Sequence, residues 1–384
     1  MKPAIVVVTY NRPNSLKSLL NSIHRAIYNV DNIPLIISID GGAQNNSEMV
    51  EIAETFKWKH GRKRIIKHEG NNGLREHVIF CGNLSKDYNA IIMLEDDLIV
   101  SPGYYQYAID SLNFYKEDNM VAGISLYSYE YSEISRERFY PLNDGHGAYF
   151  MQWPSSWGQI WTKKQWNGFH TWYLANKDIS FNNLNIPNSV KLWPQNSWKK
   201  YFIVYLILYN KYFVYPRGSL STPTGDSGTH TKAGTTPITQ VALLMGVPYS
   251  WDFIGSNKSV AYYDCFFQPE PRLLNNLCPW LKDYDYVVDL QANKPLSSLN
   301  ETFLLSVRTC KNPVRTFGWK LFPLELNIVY EIQGNEINFG PTSMFSSKIP
   351  FTKYGALLTW TKRLLSPADY IKIIISKTMN LFIK

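Results

Sequence analysis

Long apolar runs are missing from this sequence. The longest, Tyr201–Tyr209, falls far short of the roughly 20 residues that span a bilayer. Met1 to Pro13 is a short apolar stretch broken by Thr9, Tyr10, Asn11 and Arg12. It lacks the basic start and longer apolar core of a signal peptide. The expectation is a cytoplasmic protein, neither exported by a simple signal nor membrane-spanning. Cysteine is scarce as well. Cys81, Cys265, Cys278 and Cys310 are scattered with no C-x-x-C, which argues against a disulfide framework and for a reducing compartment. Cys81 reads as a buried thiol in a helix. No dense Lys/Arg run with interleaved aromatics occurs, so nucleic acid is not an expected partner.

What is present describes a globular chain. Its 384 residues are 45% apolar and 18% charged, enough for one large or two modest domains with a real core. Lys plus Arg (39) exceeds Asp plus Glu (31), giving a net charge of +8. That balance favours anionic partners such as a nucleotide diphosphate or an acidic membrane surface. Aromatic residues are abundant, and more of them are assigned to the core than to sugar contacts.

Strand and helix signals alternate through the first half. Ala4–Thr9, Leu35–Ile39, Arg64–Lys67, Ala90–Leu94 and Met120–Leu126 read as strands, the first as a buried parallel one because it is continuously apolar and β-branched. Helices are expected from Pro13, with Leu16, Leu19, Leu20 and Ile23 on one face, and over Met49–Phe56, Leu74–Leu84 and Pro102–Tyr115. This alternation builds an α/β fold with a doubly wound, mostly parallel sheet that binds ligands beyond the carboxyl ends of its strands. After Tyr127 the pattern weakens. Tyr201–Tyr215 reads as helix then strand, and residues 216–237 as a loop rich in Gly, Ser, Thr and Pro.

The strongest chemical signal is Glu95-Asp96-Asp97 directly after the fourth strand. Three adjacent carboxylates at a buried strand end repel one another, and a divalent cation with a preference for hard oxygen ligands, Mn²⁺ or Mg²⁺, relieves that cost. The simpler reading, an acid that caps the next helix, is weakened because Ser101-Pro102 already supplies a cap. Asp40-Gly41-Gly42 follows the second strand, where a carboxylate can accept from a ribose or base, although Asp-Gly-Gly is also an ordinary turn. Thr9, Asn11 and Arg12 share that edge, with Arg12 either meeting phosphate or simply solvated.

At these residues the chain resembles a known family. Val8-Thr9-Tyr10-Asn11-Arg12-Pro13 is similar to the opening of inverting GT-A glycosyltransferases, including bacterial family-2-like enzymes of surface glycans. Glu95-Asp96-Asp97-Leu98 with Ser101-Pro102 and Tyr104-Tyr105 resembles the Glu-Asp-Asp region of the N-acetylglucosaminyltransferase I family. Trp153-Pro154, Gly158, Trp161 and Trp166 are similar to its acceptor-side segment, and Pro216–Ser219 through Gly225–His230 to its later phosphate loop. The resemblance spans roughly residues 3–235 and implies a Rossmann-like GT-A domain over 1–240 with a mixed extension over 241–384. It implies a nucleotide-sugar donor, with UDP as the nucleotide, a glycan or glycolipid acceptor, and inversion. It places Asp97 and His230 on the metal, Glu95 and Asp96 near ribose and base, Asp40 on the base, Arg12 and Arg75 beside the nucleotide, and Ser227 on the diphosphate.

One departure stands out. The family's general base is an Asp directly after a Trp, and the matching stretch Asn196-Ser197-Trp198-Lys199-Lys200 carries Lys199 there. A protonated lysine cannot take a proton from a sugar hydroxyl. Either the match is out of register, or another carboxylate (Asp226 or Asp144) serves, or the acceptor is an anion that needs no base. Asp226 is the expected catalytic residue, since it lies in the loop expected to close over the donor. The same departure keeps open a catalytically inactive nucleotide- or sugar-binding relative. A sugar nucleotidyltransferase is the other alternative, against which stands the lack of a Gly-rich basic loop after the first strand. Tyr354–Lys384 alternates apolar residues with Lys and Arg after a Ser366-Pro367 helix start. It reads as a basic amphipathic helix that either contacts the inner face of the membrane or docks on protein.

Overall fold

The structure, a computed structural model, describes residues 1–44, 46–226, 238–248, 250–348, 371 and 375. The chain divides into two compact units, Met1–Asn276 and Leu277–Lys384, so the first runs past the boundary expected at 240. In chain order the first unit begins with β1 (Ala4–Thr9), α1 (Pro13–Arg25), β2 (Leu35–Ile39), α2 (Asn46–Thr55), β3 (Lys63–Lys67) and α3 (Gly73–Asn83). Next come α4 (Ser85–Tyr88), β4 (Ala90–Glu95), β5 (Leu98–Val100), α5 (Tyr104–Tyr115), β6 (Val121–Ser125), β7 (Ala148–Met151), β8 (Gln159–Thr162) and α6 (Lys163–Ala175). It ends with α7 (Asn188–Lys191), α8 (Trp198–Leu208), β9 (Tyr212–Pro216), β10 (Ser221–Pro223), β11 (Tyr262–Tyr263) and α9 (Pro271–Leu277).

Nine strands form one sheet in the order β11-β7-β9-β6-β8-β4-β1-β2-β3. The half β4-β1-β2-β3 is parallel throughout, and β8 joins it antiparallel to both β4 and β6. Strand β11 lies parallel to β7 at the edge, which draws residues beyond 240 into this unit. The expected doubly wound, mostly parallel α/β fold is therefore present.

The continuous apolar strands follow from burial on both faces. Ile5, Val7, Leu35, Ile37, Ile92 and Leu94 join Leu16, Leu19, Leu20 and Ile23 of α1, Met49 and Ala53 of α2, and the tyrosine-rich face of α5 in one core. Each such fully buried aliphatic side chain contributes about 1.5–3 kcal/mol relative to exposure. The opposite face is aromatic. Trp161 packs on Trp166 and Phe202, and Phe169 stacks on Phe202 at 4.1 Å, joining β8, α6 and α8. Helix α6 is fixed at its start by a capping box, in which Thr162 accepts from the Gln165 N–H and Gln165 accepts from the Thr162 N–H.

Helix α5 differs from the expected start. It begins at Tyr104 after Gly103, and Ser101 accepts weakly from the Gly103 N–H while donating to the Leu244 carbonyl. Ser101 is thus a loop tie rather than a conventional N-cap.

The second unit holds its own four-stranded sheet in the order β12 (Tyr286–Asp289), β13 (Phe303–Ser306), β15 (Ile337–Pro341), β14 (Arg315–Phe317). Its short helix α10 is Glu325–Val329. Val287, Leu304, Cys310 and Phe345 form a small core, and the buried Arg308 pairs with Asp289. The basic amphipathic helix expected at the C-terminus lies outside the described residues, apart from Ile371 and Ile375, which are helical and exposed. No described helix is long and apolar enough to cross a membrane.

Candidate active site

Strand register brings the expected residues to one edge. Val8 of β1 is level with Glu95 of β4, and Thr9 with Ile39 of β2, so Thr9, Asp40 and Glu95 all end at the carboxyl rim. Asp40 sits there, but its carboxylate is occupied. Oδ1 accepts from the Gly41 N–H and from both the N–H and side-chain amide of Asn72, and Oδ2 accepts from the Gly73 N–H. These donors make Asp40 the clasp that holds the loop before α3 against the sheet, a rim-shaping role beyond the base contact expected of it.

The chain turns tightly through Asp96 and Asp97 between β4 and β5. Asp96 is buried. Its Oδ2 accepts from the Thr9 hydroxyl at 2.8 Å and the Tyr10 N–H at 3.1 Å, and its Oδ1 lies 2.5 Å from the Arg12 guanidinium. Arg12 also reaches Asp97 Oδ2 at 2.9 Å. It is not simply solvated, because it bridges the two carboxylates. Asp97 Oδ1 is a buried carboxylate oxygen with no hydrogen-bond partner. The Asp97 carbonyl accepts from the Thr224 N–H at 2.7 Å, joining this turn to the segment after β10.

Crowding shows in the proton affinities. Burial, then repulsion from Asp97, pushes the Glu95 carboxyl up to about 8 against the pull of Arg12 and Lys199. Burial raises Asp96 to about 6, with Arg12 opposing. Burial disfavours the Arg12 cation, yet Asp96 and Asp97 outweigh it and hold the guanidinium charged.

The other expected residues are distributed around this rim. Asn11 takes a positive φ of 55° just beyond β1. Arg75, in the first turn of α3, pairs with Glu76, donates to the Gln195 carbonyl and lies over the Tyr201 ring. Asp226 is exposed, and its Oδ2 accepts from the hydroxyls of Ser15 at 2.8 Å and Thr224 at 2.9 Å. Ser227 and His230 lie outside the described residues. Among the described residues no three His, Cys, Asp or Glu side chains come together as a cation-holding group. The other carboxylate weighed as a base, Asp144, pairs with Arg217 at 2.8 Å and accepts from Ser259, which ties it into the wall of the fold.

Sequence reasoning missed Glu133. Lys199, at the start of α8, donates to Glu133 Oε1 at 2.8 Å. The Tyr129 hydroxyl at 2.5 Å and the Trp153 indole N–H at 3.1 Å converge on the same oxygen. Burial works against the Glu133 charge, but the Lys199 ammonium and these donors outweigh it and lower the carboxyl below its usual range. The only signal in the sequence was the lysine standing where an acid was expected.

Comparison with known proteins places part of the chain beside one family. Residues 4–172 match the family described as Glycosyl transferase family 2. The chain is similar to this family over that segment, which is less than half of its length. The match ends within α6 and leaves the rest of the chain outside it. No curated protein matches. Among solved structures, S. aureus TarS is similar at 14% identity and a TM-score of 0.37, covering 58% of this chain and 37% of that one. S. aureus TarS 1–349 in complex with UDP-GlcNAc is similar at 13% identity and a TM-score of 0.39, covering 62% of each chain. The mannosyltransferase PcManGT from Pyrobaculum calidifontis, in complex with GDP-Man and Mn²⁺, is similar at 11% identity and a TM-score of 0.30, over 43% of this chain and 46% of that one. The chain thus spans less than two thirds of the length of each of these structures.

Proposed function

We propose that this rim binds a nucleotide-sugar with a divalent cation and transfers the sugar, with inversion, to a hydroxyl of a glycan or glycolipid. The observation that carries the reading is the buried Asp97 Oδ1 with no hydrogen-bond partner, set in a turn of three consecutive carboxylates. An oxygen so placed fits a hard cation. Mg²⁺ or Mn²⁺ needs only one or two carboxylates when substrate phosphates and water supply the remaining ligands. Asp97 would hold the ion, with His230 assigned beside it by the family resemblance. Once bound, the ion supplies neutralisation of the charge that develops on the departing diphosphate.

The chain's own residues do the rest. Arg12 keeps positive charge at the rim where a diphosphate docks. The Asp40 clasp and the Thr9–Asp96 hydrogen bond fix the floor on which ribose and base rest. Glu95 presents a half-buried carboxyl there, and Arg75 and Ser227 extend the nucleotide contacts that the resemblance assigns. Asp226, in the loop expected to close over the donor, is the carboxylate that the sequence offers as base. UDP is the nucleotide the resemblance supports. The basic apolar pattern of Tyr354–Lys384 supports a peripheral contact with an anionic membrane, which suits a lipid-linked acceptor.

The test is a thermal-shift titration with UDP, GDP, CDP and their sugars, with and without Mn²⁺, on wild type and Asp97→Ala. Saturation at one hundred times the dissociation constant adds about 2.7 kcal/mol to the folded state. One nucleotide class that stabilises wild type in a cation-dependent way, and not the variant, supports the reading. Identical stabilisation of both proteins, or of neither, removes it.

A further inference from the structure

Lys199 lies over three indole rings, 4.8 Å from the Trp153 centroid, 5.5 Å from Trp157 and 5.8 Å from Trp193. Trp157 and Trp193 are half-buried, so part of each ring remains accessible. Gly158, with a φ of 89°, turns the chain from Trp157 into β8, and a Cβ there would crowd Leu126 and Ser221. Lys199 is also close enough to Glu95 to act on its charge, and Gln159 at the start of β8 is level with Met93 of β4. The aromatic group therefore adjoins the acid turn. Its charge centre is Glu133, whose Oε1 takes all three donors from Lys199, Tyr129 and Trp153, while Oε2 accepts from none of them. The side chain is 20% exposed. A pair that served only to hold the fold would gain from spreading its donors over both oxygens. Here one oxygen is anchored and the other is left open beside partly exposed indoles.

We infer that Glu133 is the general base of the transfer, anchored through one oxygen by Lys199, and that Trp157 and Trp193 form the platform for a sugar-type acceptor. This rests on the donor reading proposed above. Glu133 Oε2 takes the proton of the acceptor hydroxyl. The acceptor oxygen forms its bond to the anomeric carbon, and the bond from that carbon to the diphosphate oxygen breaks, the departing nucleotide keeping the electron pair. Lys199 thereby occupies the sequence position where an acid was expected, and the acid is supplied from the loop after β6.

The experiment uses the full chain, with whichever of UDP-GlcNAc, UDP-glucose or GDP-mannose stabilises wild type in the presence of Mn²⁺. Nucleotide release is measured with water as acceptor and again with sodium azide, an anionic nucleophile that carries no proton to remove. Glu133→Gln and Glu133→Ala should bind donor as wild type does and release nucleotide at least about 100-fold more slowly with water. Azide should restore release in the Ala variant and yield a glycosyl azide of inverted configuration. Wild-type rates with water in either variant overturn the assignment. So does a slow variant that binds donor but gains nothing from azide. If the single variants do not fold because the Lys199 charge is stranded, Glu133→Gln combined with Lys199→Met removes that charge, and the same two readings decide. Failure of the donor reading shows in wild type itself, which then binds no nucleotide-sugar, whereas failure of this inference shows only in the variants.

Discussion

Lowering the pH should loosen the carboxyl rim of the sheet through one buried histidine. His77 of α3 is almost fully buried against β2, where its Nε2 lies 2.8 Å from the Ser38 hydroxyl, and the His68 ring stands 5.1 Å away. Burial lowers the imidazole to about 4 from its ordinary 6.5; Asp40 opposes the shift and His68 reinforces it. The folded state therefore resists a proton that the unfolded chain accepts. The contribution is fully present above 6.5 and is lost as pH falls toward 4. Between pH 7 and pH 5 the linkage relation gives a loss of about 2 kcal/mol. For a unit of this size that corresponds to roughly 4 °C in the melting temperature.

The assay is thermal unfolding of wild type and His77→Gln at several pH values between 7 and 5. Glutamine keeps a neutral hydrogen-bonding side chain at the Ser38 contact and cannot take the proton. Other groups titrate in both proteins, so the difference between them is the readout. Wild type should lose about 2 kcal/mol more than the variant over this range. Equal losses would refute the claim that His77 is held neutral by burial. The Asp40 clasp closes on Asn72 and Gly73, at the start of α3, so the nucleotide affinity proposed for the rim should weaken over the same pH range.

The remaining expectations concern packing and charge. Gly82→Ala would place a Cβ 2.1 Å from the Trp166 ring, and should destabilise by about 1–3 kcal/mol or more, read by urea unfolding. Thr162→Ala removes half of the α6 capping box and should lower stability by about 0.5–2 kcal/mol in the same measurement. Lys199→Met strands the Glu133 carboxylate at a cost of about 3–5 kcal/mol. Adding Glu133→Gln to it should recover most of that loss, and a double variant no better than the single one would show that packing, not charge, governs the site.

The first half of the fold was legible because local signals and burial agree there. Ala4–Thr9 and Leu35–Ile39 were expected as strands and appear with those bounds, since a strand covered on both faces reads as an unbroken apolar run. The α1 stripe of Leu16, Leu19, Leu20 and Ile23 is the buried stripe. Beyond Tyr127 the strands are short and pair at long range. β7, β8 and β9 each have only four or five residues, and the mixed pairing, with β8 antiparallel to both neighbours and β9 parallel to β6 but antiparallel to β7, has no periodic signature. The two-residue strand β11 has even less, which is why the first unit's extension beyond 240 was not foreseen.

The chemistry at the rim divides in the same way. Thr9, Asp40 and Glu95–Asp97 each follow a readable strand, so their gathering at one edge follows from a parallel sheet in register. Which oxygens remain open does not follow, because it depends on Arg12 reaching across to Asp96 and Asp97. Glu133 is the extreme case. It lies in a stretch with no periodicity, 66 residues from the lysine it pairs with, and no spacing rule connects the two. Read alone, Lys199 looks like a lost catalytic acid. Read with Glu133, it is the cation that keeps a carboxylate ionised and aimed. A substitution that exchanges the charge at one position while a distant loop supplies its complement preserves a site's chemistry and erases its linear motif. The loss of an expected residue is therefore evidence about function only after its spatial neighbours have been identified.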